Sequence, residues 1–177
     1  NFVWGFSFKC LHIFIVNAKN NNMKLACIFL CLFCIFNGGY MRFDNLTDSF
    51  RVANKMIVSF SGTDYVFEKG NDKFEKVILA LEKIVVDSHE MPAFGVSLDE
   101  ETRKEKNKGI WIELLFDSPC KHDGMDFESL LIKVEKEDYA FNLIRKYNGK
   151  YEGRCFHLSL ASSTRQLYDA VESLSKQ

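Results

Sequence analysis

Residues 139–160, YAFNLIRKYNGKYEGRCFHLSL, decide the fold because they predict both the turn and the register of a β-hairpin. Asn148-Gly149 is the strongest short signal for a two-residue hairpin turn. That turn predicts three cross-strand pairs, which are Arg145 with Glu152, Phe141 with Phe156, and Tyr139 with Leu158. Opposite charges and paired aromatic rings stabilise neighbouring strands by about 0.2–1 kcal/mol each. Strand alternation then puts one apolar set on the core face, namely Tyr139, Phe141, Leu143, Phe156 and Leu158.

Two amphipathic helices are predicted, one before and one after the central strands in the sequence. The first begins at Asn71 or Asp72, which are good N-cap residues. Its apolar residues fall at helical spacing on one face: Phe74, Val77, Ile78, Leu81, Ile84 and Val85. The second helix follows a capping-box spacing of Ser163 and Gln166. Its buried stripe is predicted to be Leu167, Val171 and Leu174.

The remaining β-rich segments complete an α+β pattern. Residues 55–68 predict a hairpin that turns at Ser61-Gly62. Further strands are predicted at 93–98, 109–116 and 127–134, and the charged run 99–108 reads as a solvated loop. The predicted order is therefore β-β-α-β-β-β-β-β-α. Successive hairpins favour a mostly antiparallel β-sheet with the two amphipathic helices packed on one face.

Residues 1–40 differ in composition from the rest of the chain. All 24 acidic residues and all but three of the 23 Lys and Arg lie in residues 41–177, which carry a formal charge of −4. One interpretation starts the protein at Met41 after a read-through leader, because two glycine codons such as those of Gly38-Gly39 can contain the purine-rich core of a bacterial ribosome-binding site. The other makes residues 23–39 a signal-like segment, because their apolar run is too short to span a bilayer. Either way, residues 1–40 are predicted to be a leader and 41–177 a single α+β domain.

Charge and cysteine content limit the function classes. A mildly acidic balance argues against a nucleic-acid surface, which needs clustered Lys and Arg. The predicted domain contains two cysteines, Cys120 and Cys155. They are expected to be free thiols in a cytoplasmic protein and a disulfide in an exported one.

The face of the sheet opposite the core is a candidate binding face. Its residues are Trp111, Glu113, Leu115, Asn142, Ile144, Cys155 and His157, joined in some registers by Phe127 and Leu131. This mixture of apolar and polar residues has two interpretations. Either a loop or the segment 42–54 covers it and buries Trp111, or it binds a partner or a small ligand.

Cysteine and histidine residues suggest a less favoured metal or catalytic site. Cys120 and His122 share a Cys-x-His spacing with Cys155 and His157, and two such pairs make a tetrahedral zinc set. However, residues 118–124 read as a turn, where the first pair has no fixed strand geometry. A Cys–His nucleophile in a hydrolase is the enzyme alternative.

The favoured hypothesis is a small, acidic, cytoplasmic bacterial protein that binds another protein, by analogy with antitoxin and immunity proteins, and a binding role is favoured over an enzymatic one. A basic partner is expected, since acidic surfaces steer basic ones, and a homodimer is equally compatible. No cofactor and no nucleic acid are expected, with zinc as the less favoured alternative, and no membrane is expected if the chain starts at Met41. The alternatives are an exported domain with a Cys120–Cys155 disulfide and a Cys/His metalloprotein or hydrolase.

Overall fold

The computed structural model describes residues 40–92 and 95–175, which form an α+β arrangement with ten strands. The strands are β1 Met41–Arg42, β2 Lys55–Phe60, β3 Thr63–Glu68, β4 His89–Met91, β5 Val96–Ser97, β6 Ile110–His122, β7 Met125–Lys133, β8 Ala140–Lys146, β9 Gly153–Arg154 and β10 Phe156–Ser159. The helices are α1 Ser49–Val52, α2 Asp72–Val85, α3 Asp99–Lys106 and α4 Arg165–Glu172, and a 3-10 turn spans Leu46–Asp48. The prediction for residues 1–39 lies outside the described residues.

Eight of the ten described strands form one large sheet. Seven of them follow the order β3-β2-β6-β7-β8-β10-β4, and β1 pairs with β6. All pairings in this sheet are antiparallel except that of β1 with β6. Strand β6 is long enough to pair with two strands at different positions: β2 pairs with its first half, and β1 pairs with Cys120 and Lys121. A separate small sheet contains β5 and β9.

Helices α2 and α4 contribute to one hydrophobic core with the sheet, as predicted. The core includes all six predicted residues of α2, together with Leu167 and Val171 of α4 and Leu174 just after its end. Sheet residues on this face include Met56, Val58, Ile112, Leu114, Leu130, Ile132 and Leu143. Asn71 is the N-cap of α2, and its side chain accepts a hydrogen bond from the Lys73 N–H. No helix in the described ranges has the length and apolar character needed to cross a membrane.

The prediction of a solvated loop at 99–108 is wrong, since most of this run forms α3. Acidic residues occupy the first turn and basic residues the last, which suits the helix dipole. Arg103 Nε donates to Asp99 Oδ2 at 2.9 Å in an i,i+4 pair, and Lys104 pairs with Glu101 at 2.7 Å. Charge complementarity thus supports a helix that has only Thr102 buried.

The predicted register of the 139–160 hairpin is correct at its turn and wrong beyond it. Tyr147 bridges Lys150 as expected, but Phe156 lies opposite Leu143 and Leu158 opposite Phe141. Residues Gly153–Arg154 leave the ladder to pair with β5, which shifts the return strand by two residues. A shift of two preserves the side-chain faces, so the predicted core side is correct.

Three smaller predictions also need correction. Tyr139 is 63% exposed and is not a core residue. The expected turn at 118–124 is largely strand, because β6 continues to His122 after an irregularity that accommodates Pro119. The N-cap of α4 is Thr164 and not the predicted Ser163, so the capping box with Gln166 does not form. The Thr164 side chain makes no capping hydrogen bond, and its hydroxyl donates to Glu135 O at 2.6 Å.

Candidate functional site

Helix α3 covers the centre of the candidate binding face. Trp111 and Glu113 are only 4% and 1% exposed. The Trp111 indole Nε1–H donates to Lys108 O at 2.8 Å and to Glu105 O at 3.1 Å. Trp111 is therefore covered, as one of the two interpretations expected, but by helix α3 and not by a loop or by the segment 42–54.

Glu113 lies at the centre of a buried polar cluster under α3. Its carboxylate accepts hydrogen bonds from Ser129 Oγ and Tyr151 Oη, each at 2.7 Å. Lys106 Nζ lies 3.1 Å from one carboxylate oxygen and Lys146 Nζ 3.4 Å from the other. Each oxygen therefore receives one hydroxyl and one ammonium donor, which compensates for burying the charge.

The environment of this cluster shifts the acidity of its members. Burial opposes ionisation of Glu113, but the Ser129 and Tyr151 hydrogen bonds and the two lysines outweigh it and lower the pKa of this carboxyl. Burial, followed by the neighbouring Glu113 charge, raises the pKa of Tyr151. Tyr151 therefore remains a neutral hydroxyl donor to a carboxylate that stays ionised.

A second set of contacts ties the start of α3 to the 148–149 turn. The Asp99 carboxylate accepts from the Tyr151 backbone N–H at 2.8 Å, while Arg103 Nη2 donates to Gly149 O at 2.7 Å. The Arg103 guanidinium also lies 5.2 Å from the centre of the Tyr151 ring. These contacts fix the position of α3 on the sheet.

An open groove of about 320 Å³ remains between α3 and the strands beside it. Its lining residues are Gly95, Val96, Ser97, Leu98, Glu101, Thr102, Glu105, Trp111, Asn142, Ile144 and Cys155. Val96 and Leu98 are 67% and 63% exposed, so the groove has an apolar lip in contact with solvent. Its charged lining residues are the two carboxylates Glu101 and Glu105.

Four of the seven residues predicted for the binding face line this groove, namely Trp111, Asn142, Ile144 and Cys155. Glu113 lies beneath α3, and Leu115 is half-buried in the ladder between β2 and β7. His157 is half-buried, with Nδ1 2.8 Å from Asn142 Oδ1. The sequence did not identify Val96 or Leu98, which reach the groove from a different element.

The four residues of the predicted zinc set are not brought together. Cys120 lies in the core on the side of α2 and α4, whereas Cys155 lines the groove on the opposite face of the sheet. Within residues 40–92 and 95–175, no group of three or more His, Cys, Asp or Glu side chains is placed to hold a metal ion. The same separation accounts for both cysteines being free thiols and not the predicted alternative disulfide.

Neither cysteine has the environment of a nucleophile. Burial raises the pKa of the Cys120 thiol to about 11. Burial also raises the pKa of Cys155, against smaller opposing effects of hydrogen bonding to Ser97 and of the Arg145 charge. Both thiols are therefore protonated at neutral pH, while nucleophilic cysteines need a depressed pKa.

A larger cavity of about 560 Å³ contains His122 and Glu90 in its lining. His122 Nδ1 lies 2.9 Å from Phe43 O, and Nε2 lies 2.8 Å from a Glu90 carboxylate oxygen. Both ring nitrogens thus face acceptors, and a general base needs one of them for its substrate. His122, on β6, instead contacts the N-terminal segment through Phe43 and β4 through Glu90. These contacts could not be predicted from sequence, because the three residues are far apart along the chain.

Comparison with protein family models, with curated proteins and with solved structures finds no match to this chain.

Proposed function

We propose that this protein is a non-catalytic binding module that receives an apolar side chain of a partner protein in the groove between α3 and β5. The observation that supports it most directly is the exposed apolar lip of an otherwise preformed cavity. Val96 and Leu98 meet solvent at its entrance, and Trp111 and Ile144 contribute to its wall. Protein interfaces commonly place an apolar anchor of one partner in such a pocket of the other.

The position of Leu98 strengthens this proposal. It is the N-cap of α3, where Ser, Thr, Asp and Asn stabilise helices, and its side chain makes no capping hydrogen bond. The same side chain is 63% exposed, so it gains little from burial. An apolar residue that neither caps the helix nor packs in the core is well explained by contact with a partner.

The charges at the groove favour a partner with basic residues beside its apolar anchor. Glu101 and Glu105 line the groove, whereas their ion-pair partners Lys104 and Lys108 are outside its lining. Opposite charges at an interface rim increase the association rate and lose their effect as salt screens them. We therefore expect binding that weakens as ionic strength rises.

Selection of a random peptide library on the full chain tests this proposal. Enriched peptides are expected to combine one large apolar residue with neighbouring Lys or Arg. Leu98→Asn is expected to weaken their binding by about tenfold or more, since it removes an interface anchor. Leu79→Asn is the matched control, because Leu79 is 52% exposed on α2 and outside the lining of the groove. Equal effects of the two substitutions, or no enrichment, would count against the groove.

We further propose that the protein works in the cytoplasm, because its fold separates Cys120 and Cys155 on opposite faces of the sheet and so does not use them as a disulfide, whereas exported domains often depend on disulfides. Cys120 and Cys155 are expected to be alkylated when protein from its native source is denatured without a reductant. Mass spectrometry of the digested protein measures this for each cysteine. Recovery of an unlabelled, disulfide-linked peptide pair would support the exported alternative instead.

A further inference from the structure

Strand β3 forms an open edge of the large sheet. It pairs with β2 on one side only, and five of its six residues are exposed. Such an edge can accept another strand through its backbone groups. This surface is separate from the groove between α3 and β5, so the inference below goes beyond the proposed function and does not depend on it.

The turn before β3 determines which backbone groups face the open edge. Ser61 and Gly62 form a two-residue turn with φ of 46° and 87°, so Phe60 and Thr63 are a hydrogen-bonded pair. Alternation then directs the N–H and C=O groups of Asp64 and Val66 away from β2. Among the described residues, no turn or loop backbone hydrogen bond uses these groups.

On one face of the sheet, the side chains of β3 follow an acid–apolar–acid pattern. Asp64, Val66 and Glu68 alternate along β3 opposite Ser59, Ile57 and Lys55. Val66 is 57% exposed. The Asp64 carboxylate accepts from Ser59 Oγ and lies 3.9 Å from Lys106 Nζ, and that of Glu68 lies 3.6 Å from Lys55 Nζ, but the two side chains remain 49% and 76% exposed. A strand added to this edge would place its own alternate residues beside these three.

We propose that β3 binds an extended segment of a partner protein that carries Lys or Arg, an apolar residue, and Lys or Arg at alternate positions. Main-chain hydrogen bonds to Asp64 and Val66 provide the affinity of such strand addition. Opposite charges beside Asp64 and Glu68 provide its selectivity, and Val66 packs against the central apolar residue.

The same carboxylates disfavour a second copy of this chain as the occupant. Antiparallel pairing of two β3 strands about Val66 places each Asp64 opposite a Glu68, and like charges in that position are destabilising. Moving the register by two residues pairs Asp64 with Val66 and leaves Glu68 opposite the turn residue Gly62. The edge is therefore better matched to a basic strand than to itself.

Two synthetic peptides test this inference on the full chain: Thr-Lys-Thr-Val-Thr-Lys-Thr and its counterpart with Glu in place of Lys. The Lys peptide is expected to bind and to slow amide hydrogen exchange of Asp64 and Val66, while the Glu peptide has no effect. Glu68→Lys is expected to weaken binding about tenfold, because an attraction becomes a repulsion. Val66→Pro removes an outward N–H without removing a bond to β2, and it is expected to abolish binding.

Glu152→Lys is the matched control, with an expected change of less than about twofold. Glu152 is 59% exposed and 3.9 Å from Lys150, much as Glu68 is 3.6 Å from Lys55. Three results would each overturn the inference: no protection of Asp64 and Val66, equal binding of both peptides, or equal effects of the two Lys substitutions. A concentration-dependent dimer that protects these amides without peptide would also overturn it, in favour of a second copy.

Discussion

Glu113→Gln is expected to lower the free energy of unfolding by about 3–5 kcal/mol, the usual cost of breaking a buried ion pair. The substitution leaves two ammonium groups beside a neutral amide under α3. Lys106 and Lys146 cannot simply move into solvent, because their side chains are only 16% and 28% exposed. Glutamine has nearly the volume of glutamate, so the loss measures charge and not a cavity. Urea unfolding at neutral pH provides the measurement.

Glu137→Gln is the control for this prediction. Glu137 pairs with Arg165 at the surface, where both side chains are more than half exposed. An exposed pair of this kind contributes about 0–1 kcal/mol. A Glu113→Gln loss no larger than the control would mean that the buried cluster does not stabilise the position of α3.

The same substitution is expected to change the response of stability to acid. Because the folded state lowers the pKa of Glu113, the unfolded state takes up its proton first as the pH falls. The stabilisation is therefore complete above the ordinary carboxyl pKa and is lost from about pH 5 downward. Glu113→Gln lacks this contribution, so its unfolding midpoint should fall less steeply with acid than that of the wild type. Parallel curves would contradict the assignment.

Phe127→Ala is expected to destabilise the protein by about 3–5 kcal/mol, as other large-to-small substitutions of buried aromatic residues do. Phe127 is fully buried, and its ring stacks on Phe43 at 6.3 Å between centroids. It also makes edge contacts with Phe116 at 5.5 Å and Phe156 at 5.9 Å. The ring thus joins the N-terminal segment, β6, β7 and β10.

Tyr139→Ala is the control, because Tyr139 is 63% exposed and its truncation should change stability by less than about 0.5 kcal/mol. Phe127→Leu retains part of the buried surface and should give an intermediate loss. If Phe127→Ala unfolds at nearly the wild-type urea concentration, the aromatic contacts described here do not hold these segments together.

The features that could be predicted from sequence are those fixed by neighbouring residues. The α2 stripe and the Asn148-Gly149 turn are local patterns, and both are confirmed. Helix α3 has no apolar stripe, and its anchors Trp111, Glu113 and Tyr151 lie elsewhere in the chain. Periodicity alone could not separate such a helix from a charged loop.

Long-range pairing explains the other differences. The pairing of β9 with β5 adds two residues to the 139–160 hairpin, and no residue inside that hairpin specifies it. Phe127 joins the core while Leu131 packs with Trp111, a difference that strand alternation does not predict for residues four apart, and the register of β6 against β7 shifts in the same region. Strand alternation did identify much of the groove wall. Val96 and Leu98, which form the lip, could not be predicted because their position depends on the pairing of β5 with β9.

The most direct test of the groove is a paired measurement of stability and affinity for Leu98→Asn. Asparagine is a good N-cap, so this variant should unfold at a higher urea concentration and gain about 0.5–2 kcal/mol. Its affinity for a selected peptide should nevertheless fall. Leu79→Asn should do the reverse, losing some stability through its lower helix propensity while keeping its affinity. If Leu98→Asn gains stability and binds as tightly as the wild type, the exposed leucine does not serve a partner and the proposed function is wrong.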